Sequence, residues 1–170
     1  MDESTFWELV AAGNPDAITR ALARRLPEEI QQFELILRRQ LRRADRNLLM
    51  GALLLLVGRG WSDDQWLYFR CALICRGQRA FERALADPDS LAWLPWRDDT
   101  HIDQEELLYV ADAAHRRAMK RAASKLRAPR QVADELGQGY DGPEGTGDAE
   151  WNEADLPALL PQLWKRRHPT

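Results

Sequence analysis

The stretch from Trp66 to Cys75 constrains the fold most, because it is apolar on every face of a helix except at Arg70. A helix without a polar face has to lie at the centre of a domain, surrounded by other elements. Elsewhere, apolar residues recur at spacings of three and four, the period of one helical face; one such series is Ile30, Phe33, Ile36, Leu37 and Leu41. The sequence therefore predicts an all-α protein, a single-domain orthogonal bundle of about six to eight helices around this segment.

The length and the charge of the chain limit the classes of protein to which it can belong. At 170 residues it is long enough to bury a core as one domain, and its hydrophobic fraction of 45% is ordinary for a globular protein. Its formal net charge of −3 is weakly acidic, whereas a general nucleic-acid-binding domain is strongly basic. We therefore expect a globular domain whose partner is not a nucleic acid.

The most hydrophobic run, Leu48 to Val57, predicts a buried helix rather than a membrane span. Its length is about half of the roughly 20 residues that a membrane-spanning helix needs. The first residues, MDESTFWELV, are acidic and carry no apolar core of a signal peptide. We expect a soluble, cytoplasmic protein that has no membrane partner.

The segment Ser62-Asp63-Asp64-Gln65 carries two adjacent aspartates and predicts the start of the central helix. Serine is a favoured N-cap residue, and a glutamine three positions later completes a capping box. Carboxylates in the first turn are stabilised by the positive end of the helix dipole, whereas adjacent residues on a helix point about 100° apart. Capping therefore accounts for these residues better than an acid pair. Thr5 and Glu8 predict another capping box near the N-terminus.

Arg70 needs a carboxylate partner, because a buried charge without one is very unfavourable. The sequence offers four candidates, namely Asp63, Asp64, Glu105 and Glu106. An ion pair that fixes the central helix is one interpretation of Arg70, and an anion-binding role is the other. Together with the two aspartates, Arg70 defines the one pocket that the sequence suggests.

A run of arginines lies opposite the apolar residues of the helix around Phe33. Its members are Arg38, Arg39, Arg42 and Arg43. This pattern predicts an amphipathic helix with a basic outer surface. A solvated surface explains such a run more simply than a contact with an anion or an acidic partner.

Residues with catalytic or metal-binding chemistry are explained here by structural roles. Cys71 and Cys75 lie one helical turn apart, but their apolar surroundings indicate core residues with unreactive thiols. The segment DDTHID (98–103) lacks the spacing of a calcium loop, and turn and capping roles account for its acids and its histidine. His115 is followed by two arginines, which favours a surface position. We expect no metal, no cofactor and no catalytic residues.

Two blocks of opposite charge follow each other in the last third of the chain. The basic block has no acid within it and consists of Arg116, Arg117, Lys120, Arg121, Lys125, Arg127 and Arg130. The acidic block has no base within it and consists of Asp134, Glu135, Asp141, Glu144, Asp148, Glu150, Glu153 and Asp155. Either the acidic block lies over the basic helix and neutralises it, or one of the blocks faces a charged partner.

The chain is expected to have three parts within one domain. Residues 1–130 are the helical domain, residues 131–153 a flexible acidic loop, and residues 154–170 a docking C-terminal segment. The loop follows from five glycines and many acids between Gln131 and Trp151. The C-terminal segment carries the apolar residues of a short helix, Leu156, Leu159, Leu160, Leu163 and Trp164. Tryptophans are expected to seal the ends of the bundle; they are Trp7, Trp61, Trp93, Trp96, Trp151 and Trp164.

Five short motifs in this order resemble a bacterial domain family of unknown function. They are FWEL (6–9), SDDQWLYFR (62–70), ALADPDSLA (84–92), EELLYVA (105–111) and LPALLPQLW (156–164), and the resemblance covers roughly residues 4 to 165. Family members often continue the Phe-Arg helix with a tryptophan, where this chain has Cys71. The resemblance implies an α-helical domain and implies no activity.

Strong charge patterning without catalytic residues favours a non-catalytic protein-binding module. The most specific form of this hypothesis is an immunity or antitoxin-like protein that neutralises a partner toxin. The residues expected to bind the partner are Arg116, Arg117, Lys120, Arg121, Asp141 and Glu144. The alternative is an enzyme of unknown reaction, with a site formed by the Ser62-Asp63-Asp64 helix start and Arg70.

Overall fold

The computed structural model describes residues 1–58, 60–96, 102–122, 127–142 and 150–169, with only the backbone for residues 121 and 122. Its α-helices are α1 (Glu3–Val10), α2 (Pro15–Leu22), α3 (Pro27–Arg43), α4 (Asn47–Val57), α5 (Asp63–Cys75), α6 (Gln78–Ala86), α7 (Val110–Ala122), α8 (Pro129–Glu135), α9 (Leu156–Leu159) and α10 (Pro161–Arg167). Short 3-10 helices cover Pro88–Trp93, Glu105–Tyr109 and Glu153–Asp155. Within the described ranges there is no β-strand, and seven helices, α1 to α7, have at least eight residues. The predicted all-α class is confirmed.

Helix α5 begins with the capping box that the sequence predicts. The Ser62 Oγ accepts a hydrogen bond from the Gln65 amide at 3.2 Å, and the Gln65 Oε1 accepts one from the Ser62 amide, also at 3.2 Å. Asp63 and Asp64 occupy the first turn and are exposed. The two side chains thus lie where the helix dipole favours negative charge.

Helix α1 begins three residues before the position that the sequence predicts. The N-cap residue is Asp2, whose carboxylate accepts a hydrogen bond from the Thr5 amide at 2.8 Å. The prediction that Thr5 and Glu8 form a capping box is therefore wrong, because Thr5 is already inside the first turn. Asp2 is an equally good capping residue, and this hydrogen bond lowers the pKa of its carboxyl.

The core is built around α5, as its apolar sequence predicts. Phe69, Cys71, Leu73 and Ile74 are buried, and α5 contacts α3, α4, α6 and the 3-10 helix Glu105–Tyr109. Helix α4 buries Leu49, Ala52 and Leu53 in the same core. In the described parts of the chain, no helix is long and apolar enough to cross a membrane.

The C-terminal segment docks onto the turn that follows α6. Leu156, Leu160 and Leu163 are buried, while Leu159 lies at the surface. Helix α10 contacts α4 and the 3-10 helix Pro88–Trp93. Its first amides have no capping side chain of their own, and the buried carboxylate of Asp89 takes this role. Asp89 accepts hydrogen bonds from the Gln162 amide at 3.0 Å and from the Leu163 amide at 2.9 Å.

The tryptophans occupy different environments rather than sealing the bundle uniformly. Trp7 and Trp96 are buried. Trp61, Trp151 and Trp164 are half-buried against the core. Trp93 is 67% exposed, so the expectation is wrong for this residue. Trp93 is the last residue of the 3-10 helix Pro88–Trp93. This helix packs one side against α10, and the Trp93 indole lies on the opposite, exposed side.

The role of Asp89 can be tested with an Asp89→Ala variant. We expect the free energy of unfolding to fall by about 1 to 3 kcal/mol, because two buried amides of α10 lose their acceptor. The control is Asp87→Ala, since Asp87 is exposed and its side chain caps neither helix. Urea unfolding, monitored by circular dichroism, measures the free energy of unfolding of both variants. Equal stability of the two variants would contradict the capping role.

Candidate functional site

The main charged feature of the structure is a group of three arginines and one aspartate on α3, α5 and the turn between α3 and α4. We call Arg38, Arg42, Asp45 and Arg70 the arginine cradle. A segment from the acidic block, residues 138–142, lies across it, and we call this segment the strap. Arg38 is 1% exposed and Arg70 is 0% exposed. Guanidinium groups at this depth are stable only if hydrogen bonds and opposite charges surround them.

Arg38 uses every nitrogen of its guanidinium group. Its Nε donates to Glu34 at 2.7 Å, and its Nη1 donates to the Asp134 carboxylate at 2.6 Å and to the Gln138 carbonyl at 2.5 Å. Its Nη2 lies 3.3 Å from the Tyr140 hydroxyl, and the group lies over the Tyr140 ring at 4.4 Å. The predicted basic outer surface is therefore wrong at Arg38, which points inward beneath the acidic block.

Burial and hydrogen bonding together determine the protonation states of Glu34 and Arg38. Burial raises the pKa of the Glu34 carboxyl, and the hydrogen bond from Arg38 opposes this shift. For Arg38, burial favours the neutral form, but the bonds to Glu34 and Asp134 outweigh it and raise the pKa of the guanidinium. The cation of Arg38 is thus held firmly in its charged state.

Arg70 finds its carboxylate in the strap. Its Nη2 donates to Asp141 at 2.7 Å, and its Nη1 donates to the Tyr140 carbonyl at 3.0 Å and the Leu41 carbonyl at 3.3 Å. Asp45 lies 3.7 Å away as a second acid. The sequence correctly requires a carboxylate for Arg70, but the four candidates named from it, Asp63, Asp64, Glu105 and Glu106, are wrong. The true partner is 71 residues further along the chain, beyond the reach of local spacing.

The strap binds to the cradle through its main chain as well as its side chains. Arg42 donates to the Gly139 carbonyl at 3.0 Å. At the end of the strap, the Gly142 amide donates to Asp45 at 2.7 Å, and Asp45 also accepts from the Trp66 indole at 2.9 Å. Arg38, Arg42, Arg70 and Asp45 thus hold successive peptide groups of one short segment.

The carboxylates that close the cradle lie near the surface. The side chains of Asp134 and Asp141 are 62% and 78% exposed, whereas both guanidinium groups that they contact are buried. The expected flexible loop over residues 131–153 is therefore wrong for its first part. Helix α8 covers residues up to Glu135 and packs on α3, and the strap follows it. Residues 143–149 lie outside the described residues.

Asp63, Asp64 and Arg70 do not form a common pocket. Both aspartates are exposed at the start of α5, whereas Arg70 is turned toward the strap. A cavity of about 50 Å³ does lie beside this helix start. It is lined by Leu53, Val57, Trp61, Gln65, Tyr68, Ile102 and Asp103, and neither aspartate is among them.

The binding residues proposed from sequence are separated by the fold. Arg116, Arg117 and Lys120 are exposed on α7, and none of the three forms an ion pair with a residue that the structure describes. Arg121 belongs to the same helix, but its side chain lies outside the described residues, as does Glu144. Asp141 binds Arg70 in the cradle, so it belongs to a different site.

His115 is buried, with 7% of its surface exposed, and the predicted surface position is wrong. Its Nε2 has no hydrogen-bond partner among the described residues. A signal for this burial was present in the sequence, because Ala111, Ala114 and Ala118 share the face of α7 that carries His115. The two arginines that follow it point away from that face.

Cys71 is buried in the core, as predicted, whereas Cys75 is half-buried and packs against the core. Burial raises the pKa of the Cys71 thiol well above its ordinary value, and it raises the pKa of Cys75 to about 12. Of the segment predicted to form turns, Asp98, Asp99 and His101 lie outside the described residues. Asp103 accepts a hydrogen bond from the Glu105 amide at 3.3 Å, two residues further on, which is a turn contact just before the 3-10 helix Glu105–Tyr109.

These observations define an all-α domain that closes a group of buried arginines with its own acidic segment. The chain belongs to a family described as "Protein of unknown function (DUF4240)", which matches residues 1–117. The resemblance to a family of unknown function is thus confirmed, although the match ends before the fifth motif, Leu156 to Trp164. A search of curated proteins and a search of solved structures each gave no match.

The contribution of the strap to stability can be tested with Asp141→Asn. We expect the free energy of unfolding to fall by about 1 to 3 kcal/mol, because buried Arg70 loses its nearest opposite charge. The control is Glu150→Gln, which removes the same charge from an exposed position and should change stability by less than about 0.5 kcal/mol. Chemical unfolding measures both variants. A harmless Asp141→Asn substitution would show that Asp45 alone compensates Arg70.

The shielding of the two cysteines predicts slow labelling of the native protein. A rise in the pKa of Cys75 from 9.0 to about 12 lowers its thiolate fraction at pH 8 by about a thousandfold. Iodoacetamide should therefore modify the folded protein at least about a hundredfold more slowly than the urea-unfolded chain, as followed by mass spectrometry. Fast modification of the folded protein would contradict the buried placement of Cys71 or the raised pKa of the Cys75 thiol.

Proposed function

We propose that this protein is a non-catalytic protein-binding module that uses the exposed basic side of α7. The observation that supports this proposal is the use of the acidic block elsewhere. Asp134 and Asp141 neutralise Arg38 and Arg70 in the cradle, so they do not cover Arg116, Arg117 and Lys120. The basic side of α7 therefore remains available to a partner with negative charge.

The spacing of these residues supports the same conclusion. Arg116 and Lys120 stand four residues apart on α7, where like charges face each other and destabilise a helix by a few tenths of a kcal/mol. Arg117 and Arg121 repeat this spacing. An acidic partner surface would relieve this repulsion, and it would also speed the encounter through its long-range field.

The most specific form of the proposal is an immunity or antitoxin-like protein in the cytoplasm. Such a protein must bind its toxin tightly without chemistry of its own, and complementary charge is a common means of doing so. The alternative, an enzyme with a site at Asp63, Asp64 and Arg70, has less support. These side chains do not meet, and Arg70 is fully engaged by the strap at its Nη atoms.

Charge reversal on α7 tests the proposal. We expect a variant with Arg116→Glu, Arg117→Glu and Lys120→Glu to lose binding to the product of the adjacent gene, measured by titration calorimetry at micromolar concentration. A triple reversal changes the net charge by six, so it weakens steering as well as contact. The reversal exchanges two cations at positions 116 and 120 for two carboxylates, which also repel, and it gives position 117 an opposite charge at Arg121. Stability should therefore change by no more than about 0.5 kcal/mol.

The matched control reverses three exposed basic residues on other helices, Arg79, Arg83 and Lys165. It carries the same net charge, so it should retain most of the binding. Equal loss in both variants would show that only net charge matters. If the wild-type protein does not bind the neighbouring product at micromolar concentration, and if coexpression does not relieve its toxicity, the immunity role is wrong.

A further inference from the structure

The strap is bound to the cradle in the manner of a peptide ligand. The Gln138 amide donates to the Ala133 carbonyl in α8. The other main-chain contacts described for residues 138–142 are made by side chains of α3, α5 and the α3–α4 turn. Three carbonyls, those of Gln138, Gly139 and Tyr140, accept from Arg38, Arg42 and Arg70. One amide, that of Gly142, donates to Asp45. An extended segment without helix or sheet partners has to satisfy its main-chain groups through side chains, as the strap does here.

Two side chains of the strap add chemical selectivity. The Tyr140 ring lies under the Arg38 guanidinium at 4.4 Å, and Asp141 pairs with Arg70 at 2.7 Å. The cradle thus has one place for an aromatic ring and one for a carboxylate, in adjacent positions. An arginine is well suited to both, because its planar group stacks on rings and binds carboxylates.

The cradle and the strap differ in their relation to the family. Arg38, Arg42, Asp45 and Arg70 all lie within the matched residues 1–117, whereas the strap lies beyond them. The family domain therefore builds the cradle, and a segment outside the match fills it. One nitrogen of the cradle, Arg70 Nε, is buried and has no partner among the described residues, so the strap leaves a donor unused.

We propose that the arginine cradle is a peptide-binding site, occupied in this structure by the chain's own strap. The ligand is an extended segment of another protein that carries an aromatic residue followed by an aspartate or a glutamate. It takes the place of Tyr140 and Asp141. This site is distinct from the basic side of α7 and does not depend on the proposed function.

Because the strap is tethered, it competes with any external peptide at a high effective concentration. Short flexible tethers give effective concentrations in the millimolar range. The apparent affinity for an external segment falls in proportion to the fraction of open cradles. The wild-type protein should therefore bind such a peptide weakly. A variant whose strap binds the cradle less tightly should bind the peptide more strongly.

The test uses the full-length chain and a fluorescein-labelled peptide with the sequence of residues 137–142, GQGYDG. In one variant, Tyr140→Ala and Asp141→Asn remove both side chains by which the strap is recognised. We expect the dissociation constant from fluorescence anisotropy to be at least about tenfold lower in this variant than in the wild type. A scrambled peptide and the peptide GQGANG should bind neither protein.

The matched control variant combines Tyr109→Ala with Glu150→Gln, which removes an aromatic ring and a negative charge away from the cradle. It should behave as the wild type does. If this control binds the peptide as tightly as the Tyr140→Ala, Asp141→Asn variant does, the peptide binds elsewhere and the proposal is wrong.

A second variant addresses the case in which the first one does not fold. In Gly142→Ala, the added Cβ lies 3.2 Å from the Arg42 carbonyl oxygen and 3.4 Å from the Asp45 Cβ. The strap or its neighbours must move by a few tenths of an ångström, which weakens the fit of the strap while it keeps its charge. We expect this variant also to bind the labelled peptide more tightly than the wild type. If a folded variant shows no gain, or if neither variant folds, the strap is a fixed part of the fold and the proposal fails.

Discussion

Neutralisation of Arg38 and Arg70 is the interaction on which this structure depends. The two guanidinium groups lie inside the bundle, at the contact between α3 and α5, and burial of an uncompensated cation costs several kcal/mol. Glu34 and Asp45 supply part of the compensation from within the helical bundle. The rest comes from α8 and the strap, whose contacting residues lie 71 to 100 residues further along the chain. This later segment therefore stabilises the packing of α3 against α5.

The same arrangement explains why the two charge blocks do not cancel each other. Among the described contacts, acids of the second block pair partly with the end of the first, as in Arg127 with Glu135. Two others, Asp134 and Asp141, turn toward arginines of α3 and α5. The middle of α7 is left basic as a result. A surface charge that the fold does not neutralise is more informative about binding than one that has an internal partner.

Local signals in the sequence predict much of this fold. The Ser62–Gln65 capping box and the apolar run of α5 depend on residues within one or two helical turns, and both are confirmed. The errors occur where the decisive contact is distant. Periodicity predicts a solvated position for Arg38 because it treats every arginine as polar, and it carries no information about the distant Asp134. At His115, the two arginines that follow it predict exposure, whereas the alanines on its own helical face predict burial. The alanines give the correct position.

The long separation between Arg38 and its partners has a consequence for the order of biosynthesis. Its contacts with Asp134, Gln138 and Tyr140 span 96 to 102 residues. At a translation rate of roughly 5 to 20 residues per second, those partners are synthesised about 5 to 20 seconds after Arg38. During that interval the nascent helix α3 has to keep a hydrated cation on a surface that later becomes interior. Completion of the bundle is thus delayed until the last third of the polypeptide has emerged.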